Sequence, residues 1–374
     1  MMRPRHLVIR GAIVCAVMSA GASPARGQWA FDAGGRLAPQ FHSYTISAPS
    51  STKISEFAIP IYGFVPITQA LSVDVGASYS AVHLEQTTSG KTSRSNISGL
   101  TDSQVRANYI LGTDFIVLTA GLNLPTGHAA VTQSQQSAAA LMGSDFLAFP
   151  ISNMGTGFGA TGGVAVARPV GDWNAGFAVS IRRSASYAPF DDAGFRDLRY
   201  QPGDEYRARV GVDRAVGTGR ITLGVTYSRF GNDDLAGSIY NTGDRYLTTF
   251  SLDNTVGAGR LMLTGWNLFR AAGTLVDSVL LAHEDIASGT LAYGMTVGGR
   301  LLEPSIEARA WSQASAPGSL LGTVGLRTEI GARGVSIVPT VAYSFGTLAA
   351  QDVNGVFTHA SMTGFHLMLA ARLR

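Results

Sequence analysis

The sequence predicts an all-β protein: a transmembrane antiparallel up-and-down β-barrel of about 16 strands, preceded by a cleaved signal peptide. Three features predict it: an export-type N-terminus, segments in which apolar and polar residues alternate, and connections that are tight and long in turn. Alternation with a period of two places apolar side chains on one face of a sheet and polar side chains on the other. A soluble sandwich shows the same alternation, so the connection lengths decide between the two folds.

The N-terminal segment has the parts of a signal peptide: a basic region with Arg3, Arg5 and Arg10, an apolar stretch over 11–21, and small residues at Ala25 and Gly27. The apolar stretch is shorter than the ~18 residues that a transmembrane helix needs. We therefore expect residues 1–27 to be removed on export and residues 28–374 to form a single barrel domain.

The composition excludes several classes of protein. The chain has 374 residues, of which 45% are hydrophobic and 14% charged, which excludes a disordered protein. Four of the 28 basic residues lie in the first 27 positions, which hold no Asp or Glu, so 28 − 4 = 24 basic residues face 25 acidic ones in the remainder. Nucleic-acid binding is therefore not expected. The one cysteine, Cys15, lies in the predicted signal peptide, which leaves no disulfide or thiol chemistry.

The alternating segments define the elements in chain order. We predict sixteen strands, with fourteen as the alternative count: 28–46, 54–66, 69–84, 97–112, 113–125, 155–169, 172–187, 203–216, 218–231, 243–256, 258–270, 289–301, 302–314, 318–331, 334–347 and 358–373. In hydrocarbon every unpaired backbone donor or acceptor costs several kcal/mol, so a membrane-spanning sheet must close.

The connections favour a membrane barrel. Every second one is tight: Pro66–Gln69, Gly112–Thr113, Val170–Gly171, Gly217–Thr218, Gly257–Ala258, Leu301–Leu302 and Ala332–Arg333. Most of the others are long and polar, above all 125–154, 188–202 and 271–288. Short periplasmic turns and long external loops are typical of outer-membrane barrels, and an even strand count puts both termini on the periplasmic side.

The predicted membrane surface gives expectations about partners. Aromatic residues near strand ends are expected to form girdles at the two interfaces: Trp29, Tyr44, Tyr62, Phe64, Tyr109, Trp173, Tyr187, Phe230, Tyr246, Phe269 and Phe345. Lys53 and Lys91, the only lysines, fall in predicted external loops. The expected partners are outer-membrane lipids, lipopolysaccharide and the barrel-assembly machinery.

Charged residues on the polar face of the strands are candidates for the pore lining. They are Asp74, Asp102, Arg106, Arg182, Glu205, Arg207, Arg209, Asp213, Glu307, Arg309, Arg327 and Glu329. A charge facing lipid at the midplane costs ~2–4 kcal/mol, so these side chains should face the lumen. Such charges either set the selectivity of a pore or pair across the lumen and hold a narrow barrel together.

The long segment 125–154 is unusually apolar for an exposed loop, and residues 133–141 suit a short helix. Its candidate site residues are Pro125, Thr126, Gly127, Leu141, Met142, Phe146 and Phe149. They either admit a hydrophobic ligand or fold inward as a plug. The alternative is that they pack on the base of the loop or touch lipopolysaccharide.

Enzyme and metal signals are poor, and we expect neither a cofactor nor a metal. His283-Glu284 lacks the second histidine of H-E-x-x-H, no G-x-S-x-G is present, and His366 has no evident Ser and Asp partners. The pairs Asp191-Asp192 and Asp233-Asp234 lack the spacing of a calcium loop. A hydrolase inside the barrel stays an alternative, because its Ser and His would come from different strands.

Four stretches resemble the FadL-like barrels, in particular the branch of meta-pathway phenol-degradation or hydrophobic-compound transporters. They are Pro60 to Phe64 with the alternation of 71–79, Gly99 to Asp102 with Thr101 in place of the usual Gly, Gly121 to Gly127 ending in P-T-G, and Pro202 to Asp204 with 206–216. Together they cover roughly the first half of the mature chain.

The resemblance implies an outer-membrane channel through which small hydrophobic compounds, including aromatic ones, diffuse inward. Two features depart from the family. Gln28 leads almost directly into a strand pattern, without an Asn-Pro-Ala hatch, and the chain ends Leu373-Arg374 rather than in an aromatic residue. The alternatives are a structural or adhesive barrel with no substrate of its own and the barrel-embedded hydrolase.

Overall fold

The structure is a computed structural model that describes residues 34–47, 51–112, 115–275, 280–314, 316–332, 335–351 and 357–373. Its main element is an antiparallel sheet in which each barrel strand pairs with the next and the last pairs with the first, so that the sheet closes. The described residues form sixteen barrel strands, which confirms the predicted fold class and count. The predicted signal peptide lies outside the described residues.

The barrel strands are β1 (Gly34–Leu37 and Gln40–Ser47), β2 (Ser51–Pro66), β3 (Leu71–Thr88), β4 (Lys91–Leu100 and Ser103–Leu111), β5 (Ile116–Leu124), β6 (Gly159–Val170), β7 (Trp173–Ser184), β8 (Glu205–Val216), β9 (Gly219–Phe230), β10 (Arg245–Val256), β11 (Gly259–Arg270), β12 (Glu284–Val297), β13 (Arg300–Gln313), β14 (Ser319–Ala332), β15 (Val335–Gln351) and β16 (Phe357–Leu373). Gly35 pairs with Leu373, so both ends of the described chain lie at the end of the barrel with the short turns.

Other elements lie in the connections. Helix α1 (Gln136–Met142) follows a 3₁₀ turn (Gln133–Gln135), as the sequence predicts. Short strands Tyr200–Gln201, Asp233–Leu235 and Ser238–Tyr240 form a small sheet, and Gly273–Thr274 pairs with Leu280–Leu281. None of the helices among the described residues combines the length and the apolar character that crossing a bilayer requires.

The alternating residues take the predicted faces. On β3, Val75 and Tyr79 point outward and are exposed, whereas Asp74 and Ser80 point into the barrel and are buried. Leu367 and Leu369 on β16 are likewise outward and exposed. An apolar exterior around a closed hydrogen-bonded sheet is the arrangement that hydrocarbon requires.

The tight turns use glycine. Gly171, Gly217 and Gly257 have φ angles close to +60°, a left-handed conformation that other residues avoid. One predicted turn is wrong, because Leu301 and Leu302 lie inside β13. The turn is at Gly298–Gly299, with φ angles of +59° and +76°, since two consecutive glycines suit the two left-handed positions of a two-residue hairpin.

The strands are much longer on one side of the barrel. Strands β2, β3, β15 and β16 have 16 to 18 residues, and each strand from β6 to β11 has 12. We call β15, β16 and β1–β4 the tall wall and β6–β11 the short wall. The predicted loop at 85–96 is therefore wrong, because its residues continue the β3–β4 ladder as far as Thr88 and Lys91. Lys53 and Lys91 accordingly lie on strands.

The alternation reverses where the tall wall rises above the short wall. On β3 the outward residues change from the apolar Tyr79 to the polar His83, while Val82 and Leu84 point inward and are each 2% exposed. Tyr44 on β1 and Met362 on β16 are buried on the same inner face. The upper part of the tall wall therefore has a polar exterior and an apolar interior.

Candidate functional site

Residues 125–158, between β5 and β6, turn into the barrel and fill part of its lumen; we call them the plug. Their apolar side chains lie in one cluster with the inner face of the tall wall. The buried members from the plug are Ala138, Met142, Phe146, Leu147, Phe149 and Met154, and those from the walls include Tyr44, Ile46, Ile54, Val82, Leu84, Ile97, Ala360 and Met362. Leu141 is half-buried against the same cluster. Of the two functional arrangements considered for this loop, the structure adopts the inward-folded one.

Side chains of the barrel wall bind the backbone of the plug. The Tyr44 hydroxyl donates a hydrogen bond of 2.9 Å to the Leu147 carbonyl oxygen, and Arg309 Nη1 donates one of 2.6 Å to the Phe146 carbonyl oxygen. A buried carbonyl without a donor would be costly, so these bonds allow the turn after α1 to be buried.

The placement of Tyr44 in an interfacial girdle is therefore wrong, because its ring points inward. The placements of Tyr62, Phe64 and Phe230 are wrong for the same reason, since the Tyr62 hydroxyl donates to the lumen-facing Asp74 and register puts Phe64 opposite Asp74 and Phe230 opposite Glu205. Trp29 lies outside the described residues.

Glu56 on β2 adds a third anchor. It is fully buried, and it accepts a 2.7 Å hydrogen bond from the Ser80 hydroxyl and a long 3.5 Å bond from the Ile151 amide. The Glu56 carboxylate, which the apolar cluster shields from water, thus has one donor on the barrel wall and one on the plug.

One carboxylate binds both ends of the plug. Asp102, at the break in β4, accepts a hydrogen bond of 3.0 Å from the Gly127 amide and one of 2.6 Å from the Thr156 amide. The Asn123 side-chain amide donates to it at 2.9 Å. Thr126 is tied to the same break, because its hydroxyl accepts the Ser103 amide at 2.8 Å. Two motifs that are 25 residues apart therefore meet at the root of the plug.

The root has no room for a side chain at Gly127. A Cβ there would lie 2.1 Å from the Met154 carbonyl oxygen and 2.6 Å from the Asp102 amide nitrogen. The glycine of the P-T-G sequence thus allows the two ends of the plug to approach each other. Pro125 and Thr126 lead the chain from β5 into this contact.

Most of the predicted lumen charges form ion pairs with neighbours on the same wall, not across the lumen. The lumen-facing pairs are Arg106–Asp74, Arg207–Glu205, Arg220–Asp213, Arg260–Asp253, Arg270–Glu284, Arg309–Glu307 and Arg327–Glu303. The two members of each pair lie either on neighbouring strands or two residues apart on the same strand. Charge pairing therefore organises the wall and does not bridge the pore.

The remaining predicted lumen charges differ from these pairs. Asp102 is held at the root of the plug, and Glu329 accepts a hydrogen bond from Ser336. Arg182 donates to the Thr156 hydroxyl at 3.2 Å. Arg209 has no ion pair within the described residues.

Space remains on both sides of the plug. A cavity of about 250 Å³ lies against the tall wall, lined by His42, Tyr44, Leu147, His366 and Met368 among others. On the other side, a cavity of about 310 Å³ borders the plug at Ile151 to Asn153, and one of about 330 Å³ extends from Asp74 to Arg207. Arg182 lines both of these.

The sequence reasoning missed a chain of polar groups beside the first cavity. His42 Nδ1 and His366 Nδ1 are 2.8 Å apart, and His366 Nε2 is 3.0 Å from the Ser344 hydroxyl. The alternation along β1 and β16 is the sequence signal for this chain, because it places His42 and His366 on the inner face. Ser344 is 1% exposed, so a solute in the lumen does not reach its hydroxyl. No group of three or more His, Cys, Asp or Glu able to hold a metal occurs among the residues that the structure describes.

The loop 185–204 braces the plug from outside. Val131 forms a parallel bridge with Phe190, and Asp192 accepts the Gln133 amide at 2.6 Å. Asp233 accepts the Gly203 amide at 2.8 Å in a neighbouring loop. These acidic residues therefore hold loop backbone in place. In the same loop region, burial raises the pKa of Tyr187 to about 12.

Comparisons with known proteins found similarity to solved structures, at low sequence identity. No protein-family model matches it, and no curated protein matches it. OmpT of Vibrio cholerae, an outer-membrane protein, is similar at a TM-score of 0.44 and 10% identity, covering 93% of this chain and 99% of that one. An outer-membrane channel from Pseudomonas putida F1 is similar at a TM-score of 0.39 and 10% identity, covering 94% and 98%.

Proposed function

We propose that the chain is an outer-membrane channel through which small hydrophobic molecules, aromatic ones included, diffuse. The observation that carries the proposal is the plug, an internal segment held against the wall mainly by apolar side chains. The apolar exterior of the closed sheet supports a position in a membrane, among the lipids and lipopolysaccharide of the outer membrane. The resemblance of the first half of the chain to FadL-like transporters points the same way.

The contact between plug and tall wall suits a hydrophobic solute. The 250 Å³ cavity beside Leu147 is lined by the rings of His42, Tyr44 and His366, by Met368 and by the Arg309–Glu307 ion pair. An aromatic ring placed there gains apolar contacts with Leu147, Met368 and the three rings. The polar anchors at Tyr44 and Arg309 bind the plug backbone and leave the side chains of the cluster free to repack.

A barrel of this size has a lumen that side chains do not fill. Eight strands enclose an interior just wide enough for side chains, whereas barrels of 16 strands leave room for a channel. Here the plug and three cavities occupy that room. A barrel with a purely structural or adhesive role has no need for such an interior, which is why we favour a channel over that alternative.

Deletion of residues 138–149 tests the proposal. The deletion keeps the root at Asp102 and removes the apolar part of the plug, so conductance in planar bilayers and uptake of neutral hydrophobic compounds by cells should both rise. Phe195→Ala, at an exposed phenylalanine of the bracing loop, is the matched control and should leave both unchanged. Unchanged uptake of every hydrophobic compound by the deletion variant, with its barrel folded, would refute the proposal.

A further inference from the structure

The loop-side half of the short wall carries an excess of arginine. Five lumen-facing arginines lie there on four strands, and we call them the arginine band: Arg182 on β7, Arg207 and Arg209 on β8, Arg245 on β10 and Arg270 on β11. Register places Arg207 beside Ser228, Ser228 beside Arg245, and Arg245 directly opposite Arg270. Like charges on directly opposite residues of a sheet are destabilising unless something lies between them.

Among the residues that the structure describes, two carboxylates form ion pairs with the band. Glu205 pairs with Arg207, and Glu284 pairs with Arg270. Arg182, Arg209 and Arg245 have no ion pair within the described residues, so five guanidinium groups face two carboxylates and the band has a net charge of 5 − 2 = +3. Elsewhere on the inner surface, Arg106, Arg220, Arg260, Arg309 and Arg327 each have a carboxylate partner. Arg36 and Arg372, opposite each other at the end with the short turns, form no ion pair with the described residues.

Two donors in the band are buried without an acceptor. Nε of Arg245 and Nε of Arg270 are shielded from solvent and have no hydrogen-bond partner in the described part of the chain. A buried donor left unpaired costs about 1–3 kcal/mol, and more when it is charged. Arg245 also lies over the ring of Phe230, 5.2 Å from its centroid, which orients the guanidinium but supplies no acceptor for Nε. An anion bound beside these guanidinium groups would offset the positive charge that the two carboxylates of the band leave.

Apolar residues lie in the next row of the wall. Arg209 pairs in register with Thr226, Thr226 with Leu247, and Leu247 with Leu268. Since directly opposite residues share a face, Leu247 and Leu268 point into the lumen beside the guanidinium groups. A solute held at the band thus meets cationic donors and a hydrocarbon surface side by side.

We propose that the arginine band binds organic monocarboxylates with a hydrocarbon part, such as aromatic acids, and that they cross the barrel on the polar side of the plug. The carboxylate accepts the free N–H groups of Arg209 and Arg245, whose planar geometry matches it. The hydrocarbon part packs on Leu247 and Leu268. Arg182 lines both polar cavities and so connects the rim of the plug to the band. This route is additional to the apolar contact on which the proposed function depends.

Benzoate binding to the full-length protein in detergent, measured by calorimetry, tests the proposal. The wild type should bind benzoate, and the triple variant R182Q/R209Q/R245Q should bind it about tenfold more weakly or worse, since each lost bond involves two charges. Arg214→Gln is the matched control, because Arg214 lies on the same strand as Arg209 but faces outward, and it should bind as the wild type does. In planar bilayers the wild type should favour chloride over potassium, and the triple variant should lose that preference.

The outcomes separate this proposal from the proposed function. Equal binding of benzoate and benzyl alcohol, or unchanged binding in the triple variant, would overturn the arginine band as a carboxylate site while leaving a channel for neutral compounds. Binding of inorganic phosphate as tight as that of benzoate would overturn the role of Leu247 and Leu268. Conversely, band-dependent benzoate binding by a barrel that conducts nothing would support the site and contradict the channel.

Discussion

Apolar and polar residues alternate in both walls of the barrel, but the two walls differ in the face on which the apolar residues lie. In the short wall the outward residues are apolar along the strand, and the inner face carries paired and unpaired charges. In the tall wall the pattern reverses near Ala81, so that the part nearer the loops has an apolar inner face with Val82 and Leu84. The difference shows where each wall meets lipid: the reversed part has a polar exterior, which hydrocarbon would not tolerate.

The reversal gives the barrel a small core of the kind found in soluble proteins. Above the lipid the tall wall packs its inner face on the plug, and residues such as Ile54 and Leu147 are as buried as the core of a globular domain. The short wall adds less to this contact: Trp266 on β11 packs against the apolar cluster, and Arg182 on β7 donates to the Thr156 hydroxyl of the plug. The tall wall therefore supplies most of the apolar contacts of the plug, whereas the inner face of β7 and β8 borders a cavity.

The largest change in conductance and hydrogen exchange is expected from a substitution where the plug meets the tall wall. Phe146 is 3% exposed, and truncating a buried aromatic side chain costs about 3–5 kcal/mol. Phe146→Ala should therefore undock the plug, and single-channel conductance should rise together with hydrogen exchange of the amides in 131–151. Phe195→Ala removes the same atoms from a side chain that is 53% exposed and should change neither quantity. Normal conductance and exchange in Phe146→Ala would show that the apolar contact does not hold the plug.

A smaller change, in hydrogen exchange alone, is expected from a substitution at the root of the plug. Asp102→Asn keeps one acceptor oxygen but turns the other side into a donor, which faces the amides of Gly127 or Thr156. A lost bond to a charged group is worth about 1.5–3 kcal/mol, so amides near both ends of the plug should exchange faster while global unfolding of the barrel stays unchanged. Asp172→Asn, in a turn at the opposite end where the carboxylate is 78% exposed, is the control. Equal exchange in Asp102→Asn and wild type would contradict the role of the root.

The two walls also explain what the sequence could and could not predict. The faces of residues such as Asp74 and Val75 follow from a period of two, because a membrane wall has only a lipid side and a lumen side. The inward position of Tyr44 does not follow, since it depends on the plug lying above the membrane. The change from Tyr79 to Val82, His83 and Leu84 is visible in the sequence, but it reads as a strand end unless a reversed alternation is considered.

The candidate site was less predictable, for reasons of register. Which arginines find a carboxylate depends on the strand opposite: Asp74 meets Arg106 because β3 and β4 pair at that register. Parity alone placed Arg207 and Arg209 on one face, and it could not separate the paired one from the unpaired one. Asp102 and Gly127 belong to separate motifs of the sequence, and the fold of the closed barrel brings the two together.

The smallest change in stability is expected from a substitution on the polar exterior of the tall wall. Glu85 and Arg94 form an ion pair there with side chains 36% and 67% exposed, whereas Asp74 on the inner face is 9% exposed and also accepts hydrogen bonds from Tyr62 and Asn108. Exposed pairs contribute little because water and salt screen them. Glu85→Gln should leave the midpoint of urea unfolding unchanged, and Asp74→Asn should lower it measurably. Since both variants remove one carboxylate charge from the same strand, a lower midpoint in Glu85→Gln would mean that the upper tall wall is not surrounded by water, and the assignment of its reversed alternation to a region outside the lipid would fail with it.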